Sequence, residues 1–168
     1  MQRIGNFLDN HFIITSVRQL VKIIIITMFG LLVLVVFAQV VARFVFNDPF
    51  RWSEELARYL QVWMIILTSS ICIREGTHLA VDYATHALPF IYRKLLKLLA
   101  LLLIVFYLII VIVYGARIVS VITKQVSPAM QIPIYLVYLA VPIGGFLMLV
   151  EALISFFKLT GAKNKEDL

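Results

Sequence analysis

Charge is scarce in this chain. Lysine, arginine, aspartate and glutamate make up 14% of its 168 residues, whereas a water-soluble domain carries about 25%. Hydrophobic residues reach 62% and the mean hydropathy is +1.01, so too little polar surface is left to cover the chain in water. Cysteine is almost absent. Cys72 stands alone in an apolar run, which excludes an internal disulfide and any cysteine-paired zinc or redox motif. The histidines, His11, His78 and His86, all lie outside the apolar runs. This excludes a haem-carrying membrane bundle, which needs axial ligands inside its spans. Ser69 and Ser70 lie in an apolar run, but no such run holds a histidine or lysine to activate them, which argues against an intramembrane serine protease. Both serines are expected to pack closely or to back-bond to their own helix. No glycine-rich phosphate loop, internal repeat or low-complexity linker is present. No catalytic residue and no cofactor or metal requirement is read from the sequence.

What is present is a set of long apolar runs within a length suited to one domain. Ile23–Ala42 is twenty residues without a charge, enough to cross a hydrocarbon core of about 30 Å at about 1.5 Å per residue. It is too long, and too far from the start, for a signal peptide. Leu60–Ile73 is only fourteen residues long, so its first turns must include the charged residues before it, or the bilayer must adapt. Leu98–Ala116 is a third run. A fourth extends from Pro133 to Phe157, interrupted by Pro142, Gly144, Gly145 and Glu151. The expected fold is an all-α integral membrane protein, one domain over 1–168, with spans near 22–46, 52–74, 95–118 and 133–157.

Basic residues set the orientation. Arg3, Arg18, Lys22, Arg74, Arg93, Lys94, Lys97, Lys158, Lys163 and Lys165 fall on one side; Arg43, Arg51, Arg58, Arg117 and Lys124 fall on the other. The richer side is predicted to be cytoplasmic, which places both termini inside. The net charge of +6 is thus a topology signal rather than a nucleic-acid-binding surface. Trp52, Tyr59, Tyr135 and Tyr138 fall where outer aromatic anchors belong. Two segments are expected either to lie flat on the inner surface as short amphipathic helices or to be simple connections. One holds Ile4, Phe7, Leu8 and Phe12; the other holds Val81, Ala84, Thr85 and Leu88 before Pro89.

The polar residues near the spans carry the functional information. Arg51, Glu54, Glu55 and Arg58 lead into the second run, and Arg74, Glu75, His78 and Asp82 follow it. Glu54 and Arg58 form an i, i+4 pair in the favourable order, and Arg51 and Glu55 a second pair in the reverse order. They are either interfacial ion pairs or charges turned toward a partner protein. His78, Asp82 and His86 are four apart and would share one helical face, but a solvated polar face is expected there rather than a metal site. Glu151 is the carboxylate deep in an apolar run. It is expected to be structural and paired with a neighbour, in which case glutamine should replace it. The alternative is a self-contained small ion- or proton-coupled transporter that uses Glu151 as its coupling group. Such a transporter normally builds its site at a repeat interface.

The segment around the second span resembles the small membrane subunit, DctQ type, of tripartite ATP-independent periplasmic (TRAP) transporters. The resemblance rests on Trp52, Glu54, Glu55, Leu56, Ala57 and Arg58, then Trp63, then His78, Val81 and Asp82, then Leu88 and Pro89. Thr68-Ser69-Ser70 departs from it, since relatives often carry glycine and alanine there. The resemblance implies a scaffold subunit in the bacterial inner membrane, paired with a large membrane subunit that carries substrate and sodium. It also implies a soluble periplasmic substrate-binding protein, and organic acids such as dicarboxylates or sialic acid as cargo. Trp52, Glu54, Glu55, Arg58, Trp63, His78 and Asp82 become candidate subunit-interface or interfacial-anchor residues. The polar tail Lys163–Asp167 soon after span four is what a separate, unfused subunit would show. The leucine-rich stretch Leu95–Leu103 faces either lipid or a large partner, and Ala38 with Ala42 offers a close-packing pair in span one.

Overall fold

The computed structural model describes residues 12–74 and 90–161. Four long helices dominate: α1 (Phe12–Phe44), α2 (Ser53–Arg74), α3 (Phe90–Val121) and, after the single turn α4 (Tyr135–Tyr138), α5 (Ala140–Gly161). All four are long and apolar enough to cross a membrane. Among the described residues there is no strand, only an isolated bridge between Val126 and Pro133. The expected all-α class with four spanning helices is observed. His78 and Asp82 of the candidate set, His86, the segment around Val81–Leu88 and all but Phe12 of the N-terminal amphipathic stretch lie outside the described residues.

Two helices begin earlier than the apolar runs alone suggest. α1 has 33 residues and α3 has 32, each about 50 Å long against a hydrocarbon core of about 30 Å. Nothing between Phe12 and Lys22 breaks a helix, so the backbone continues through Arg18 and Lys22. α3 starts directly after Pro89 and carries Arg93, Lys94 and Lys97 in its first turns. Both extensions lie at the same end of the molecule. By contrast, α2 starts where its chemistry dictates. Glu54 and Glu55 occupy its first turn, where negative charge complements the helix dipole. The Ser53 hydroxyl donates to the Phe50 carbonyl at 2.7 Å.

Proline divides the last span. Pro142 has no N–H to offer the Tyr138 carbonyl, and its ring crowds that carbonyl. The helical hydrogen-bond ladder is therefore interrupted at Leu139, between α4 and α5, while Leu139 keeps helical dihedral angles and its N–H still bonds the Tyr135 carbonyl at 2.9 Å.

The helices form an open row rather than a closed bundle. α5 packs on both α2 and α3, and α1 packs on α2, which gives the order α1, α2, α5, α3. In its most apolar stretch, α5 is 33% buried and α1 only 6%, so α5 is the central helix. Buried positions fall seven or fourteen residues apart: Val21, Val35 and Ala42 on α1; Ser53, Leu60 and Leu67 on α2; Leu101, Leu108 and Gly115 on α3. Seven is the repeat of left-handed knobs-into-holes packing. Ala42 is buried as expected for a close-packing residue, whereas Ala38 is exposed. On α5 the close approaches are made by small residues. A Cβ on Gly144 would collide with Ile66 Cγ2, and one on Gly145 would lie 3.0 Å from Ile112 Cγ1.

This geometry gives a paired prediction. Gly144→Ala is expected to lower stability by about 1–3 kcal/mol, because the β-branched Ile66 side chain must shift to admit the new methyl. Gly30→Ala has nothing within 4 Å of the new methyl, and is expected to be neutral or stabilising by up to about 1 kcal/mol through helix propensity. Thermal unfolding of both variants in detergent tests this. A Gly144→Ala protein as stable as wild type would show that α2 and α5 are not in van der Waals contact there.

Candidate functional site

Two polar clamps tie the row together, one at each end. The first is built around Glu55 in the opening turn of α2. Its Oε2 accepts from the Ser127 hydroxyl at 2.7 Å and from the Met130 N–H at 3.0 Å, and its Oε1 accepts from the Ala129 N–H at 3.1 Å. Ser127 is fully buried. The connection between α3 and α4 turns back on itself here. Ser127 N–H donates to the Ile132 carbonyl at 2.9 Å, Gln131 N–H to the Ser127 carbonyl at 3.1 Å, and Ile134 N–H to the Gln125 carbonyl at 2.9 Å. Gln131 takes a positive φ of 56° to close the turn. The turn directs two amide hydrogens at one point, and the Glu55 carboxylate satisfies both.

The neighbouring candidates hold the same end. Glu54 is exposed, and its Oε1 accepts from Gln39 Nε2 on α1 at 3.1 Å. The Trp63 indole N–H donates to the Leu136 carbonyl at 3.2 Å, pinning α2 to α4. Trp52 stacks on Phe50 with ring centroids 5.7 Å apart. Arg58 is exposed. Among the described residues, neither of the i, i+4 pairs expected from the sequence closes into an ion pair. Each glutamate instead reaches another segment: Glu54 reaches α1, and Glu55 reaches the α3–α4 connection. For Glu55 the physical reason is that exposed ion pairs are worth only about 0–1 kcal/mol, less than satisfying directed, otherwise unmade backbone donors.

The second clamp lies at the opposite end. Arg18 on α1 grips Glu151 on α5 with two parallel bonds, Nε to Oε1 and Nη2 to Oε2, each 2.6 Å. The side chains are 12% and 11% exposed. This planar fork is the strong geometry for an arginine–carboxylate pair. It bridges the outermost helix of the row directly to the central one. The expectation that Glu151 pairs with a neighbour is met, and the neighbour is Arg18. Ser69 and Ser70 donate to the Ile65 and Leu67 carbonyls of their own helix at 2.9 and 2.7 Å, as expected.

The sequence reading missed Gln39 and Ser127 and did not connect Arg18 to Glu151. Gln39 carried a signal, being a polar side chain within an uncharged run. Ser127 and Arg18 carried none, because each acts on a residue more than 70 positions away. Among the described residues no group of three or more His, Cys, Asp or Glu side chains could hold a metal.

Residues 32–161 match the family "Tripartite ATP-independent periplasmic transporters, DctQ component". The chain is 35% identical over 92 residues to the sialic acid TRAP transporter permease protein SiaT of Haemophilus influenzae, covering 55% of this chain and 14% of that protein. It is 29% identical over 98 residues to the C4-dicarboxylate TRAP transporter small permease protein DctQ of Vibrio cholerae, covering 58% and 38%. It is 32% identical over 111 residues to a putative TRAP transporter small permease protein of Haemophilus influenzae, covering 66% and 67%. The chain spans less than two thirds of the first two relatives' length. The family is one of transporter membrane components rather than of enzymes. With that match and four helices able to cross a bilayer, the chain belongs to the DctQ family of TRAP transporter small membrane subunits and is a multi-pass protein of the inner membrane.

Proposed function

We propose that this chain is the static scaffold subunit of a sodium-driven, binding-protein-dependent transporter for organic acids. Its large membrane partner moves the substrate, a periplasmic binding protein delivers it, and this chain catalyses no reaction of its own. The cargo class is a dicarboxylate or a sugar acid such as sialic acid, in keeping with the names of its relatives. The observation that carries the scaffold reading is the Arg18–Glu151 fork. The carboxylate that a self-contained transporter would use for coupling is occupied by a fixed guanidinium, which makes it a strut between helices. An open row with broad apolar flanks on α1 and α3 supports the same reading, because such a layer enlarges the immobile part of a membrane complex. Trp52, Glu54, Glu55, Arg58, Trp63, His78 and Asp82 are proposed to anchor the subunit at its interfaces.

The test is reconstitution. The purified chain alone should give no sodium-driven uptake or proton flux in proteoliposomes, and addition of the large subunit and binding protein should restore uptake. Uptake by the chain alone would establish the self-contained reading instead.

The orientation belongs to the proposal as well. The ten-to-five division of basic residues places both termini, and the Arg18–Glu151 end, in the cytoplasm. Single cysteines at Gln2 and Asn164, in a Cys72→Ser background, should resist impermeant thiol reagents in intact cells. Labelling of either from outside would invert the assignment.

A further inference from the structure

An apolar groove runs along the seam between α1 and α2. It encloses about 420 Å³ and is walled by Ile25 and Phe29 on α1 and by Met64, Ile65, Thr68 and Ser69 on α2. Ile25 and Phe29 belong to the uncharged run Ile23–Ala42, and the α2 residues to Leu60–Ile73. These wall residues therefore sit at the depth of lipid hydrocarbon. The Ser69 hydroxyl is taken by the Ile65 carbonyl of its own helix at 2.9 Å, which removes that polar atom from the wall. Phe29 and Ile65 are 56% and 55% exposed, so the groove is open to the bilayer. Its α1 wall is one helical turn long, about 6 Å from Ile25 to Phe29. A spanning partner helix makes contact over several turns, whereas an acyl chain fits so short a slot.

Lys22 stands at the head of this groove. It lies three residues before Ile25 and seven before Phe29, so the three share one face of α1. It directly precedes the uncharged run. Helical side chains lean toward the helix N-terminus, so the Lys22 stem carries its ammonium away from the hydrocarbon and into the headgroup layer. Lys22 is exposed, and among the described residues no carboxylate lies within ion-pair distance of it. A cation one turn above an apolar slot matches an anionic headgroup joined to a hydrocarbon chain.

We propose that the α1–α2 groove seats one acyl chain of an anionic phospholipid whose phosphate rests on Lys22. The chain lies on the membrane side of Lys22, against Ile25 and Phe29. The site concerns this chain's own lipid contacts and stands apart from the transport reading.

The experiment is native mass spectrometry of the full chain in detergent, titrated with phosphatidylglycerol or phosphatidylcholine. Wild type should retain one phosphatidylglycerol in preference to phosphatidylcholine. Lys22→Gln should reduce that preference by about fivefold, the factor that one lysine near an anionic headgroup supplies. Lys124→Gln, at the other end of the molecule, should leave it unchanged. Ile65→Trp fills the groove from an exposed position and should reduce retention of both lipids, whereas Leu34→Trp, 66% exposed and outside the groove, should not. An unchanged preference in Lys22→Gln would overturn the proposal, as would no preference in wild type or equal losses in the two tryptophan variants. Loss of the lipid when the large subunit is copurified would show that the groove is a seat for the partner, and would overturn it equally.

Discussion

Replacing Glu151 with leucine is expected to lower stability by about 3–5 kcal/mol, because the mostly buried Arg18 guanidinium loses the Glu151 carboxylate. The pair is 12% and 11% exposed, so water does little to compensate. Glutamine at this position keeps one acceptor for the guanidinium but removes the counter-charge, and should fall between wild type and leucine. The expectation from sequence that glutamine simply replaces Glu151 is therefore revised, since the partner is a cation rather than a neutral donor. Replacing both residues, Arg18→Met with Glu151→Leu, removes the guanidinium as well. Apolar residues of similar volume in place of a buried pair are often neutral or stabilising. The double variant should recover most of the stability lost by the leucine variant. Thermal unfolding of the purified chain measures all of these. A double variant as unstable as Glu151→Leu alone would mean that the fork is not the source of the loss.

The paired glutamates should behave differently from each other. Glu55→Ala removes the acceptor for three hydrogen bonds and leaves the buried Ser127 hydroxyl without that partner. An unsatisfied buried donor costs about 1–3 kcal/mol, and a loss of about 2 kcal/mol is expected. It should be accompanied by faster amide exchange across 127–132. Glu54→Ala breaks one exposed bond to Gln39 at 3.1 Å and should cost under about 1 kcal/mol. Hydrogen exchange and thermal unfolding of the two single variants separate the roles. Equal effects, or unchanged exchange in Glu55→Ala, would show that Glu55 does not hold the α3–α4 connection. If loss of Glu55 also weakens copurification with the large subunit, the displaced connection supplies a direct route for that effect.

The sequence disclosed the helices far better than their neighbours. Runs such as Ile23–Ala42 have one physical solution in a bilayer, because every backbone group must be satisfied within the segment. Helix starts were less legible, since α1 continues back through Lys22 and Arg18 to Phe12 without a proline or glycine to stop it. The packing seam was not legible. A soluble helix shows its buried face by contrast with a polar one, but here both faces are apolar and Leu101 looks like Leu102. Only small residues break that symmetry, and Gly144 and Gly145 do mark the contact line of α5. The polar residues beside the spans were visible, yet the groups that Glu54 and Glu55 reach within the chain were not. Local spacing offers Arg51 and Arg58 as partners, whereas the three-dimensional row offers Gln39 and the turn at 127–131.

The central claim is that this chain braces a transporter without coupling ions itself. The most direct test is substrate uptake into proteoliposomes under a sodium gradient, using the assembled transporter with Arg18→Met and Glu151→Leu in this subunit. A scaffold whose fork is a strut retains substantial uptake, because the double variant keeps the helices together without either charge. A complex that assembles normally but has lost all uptake would show that Glu151 takes part in coupling, and would contradict the scaffold account.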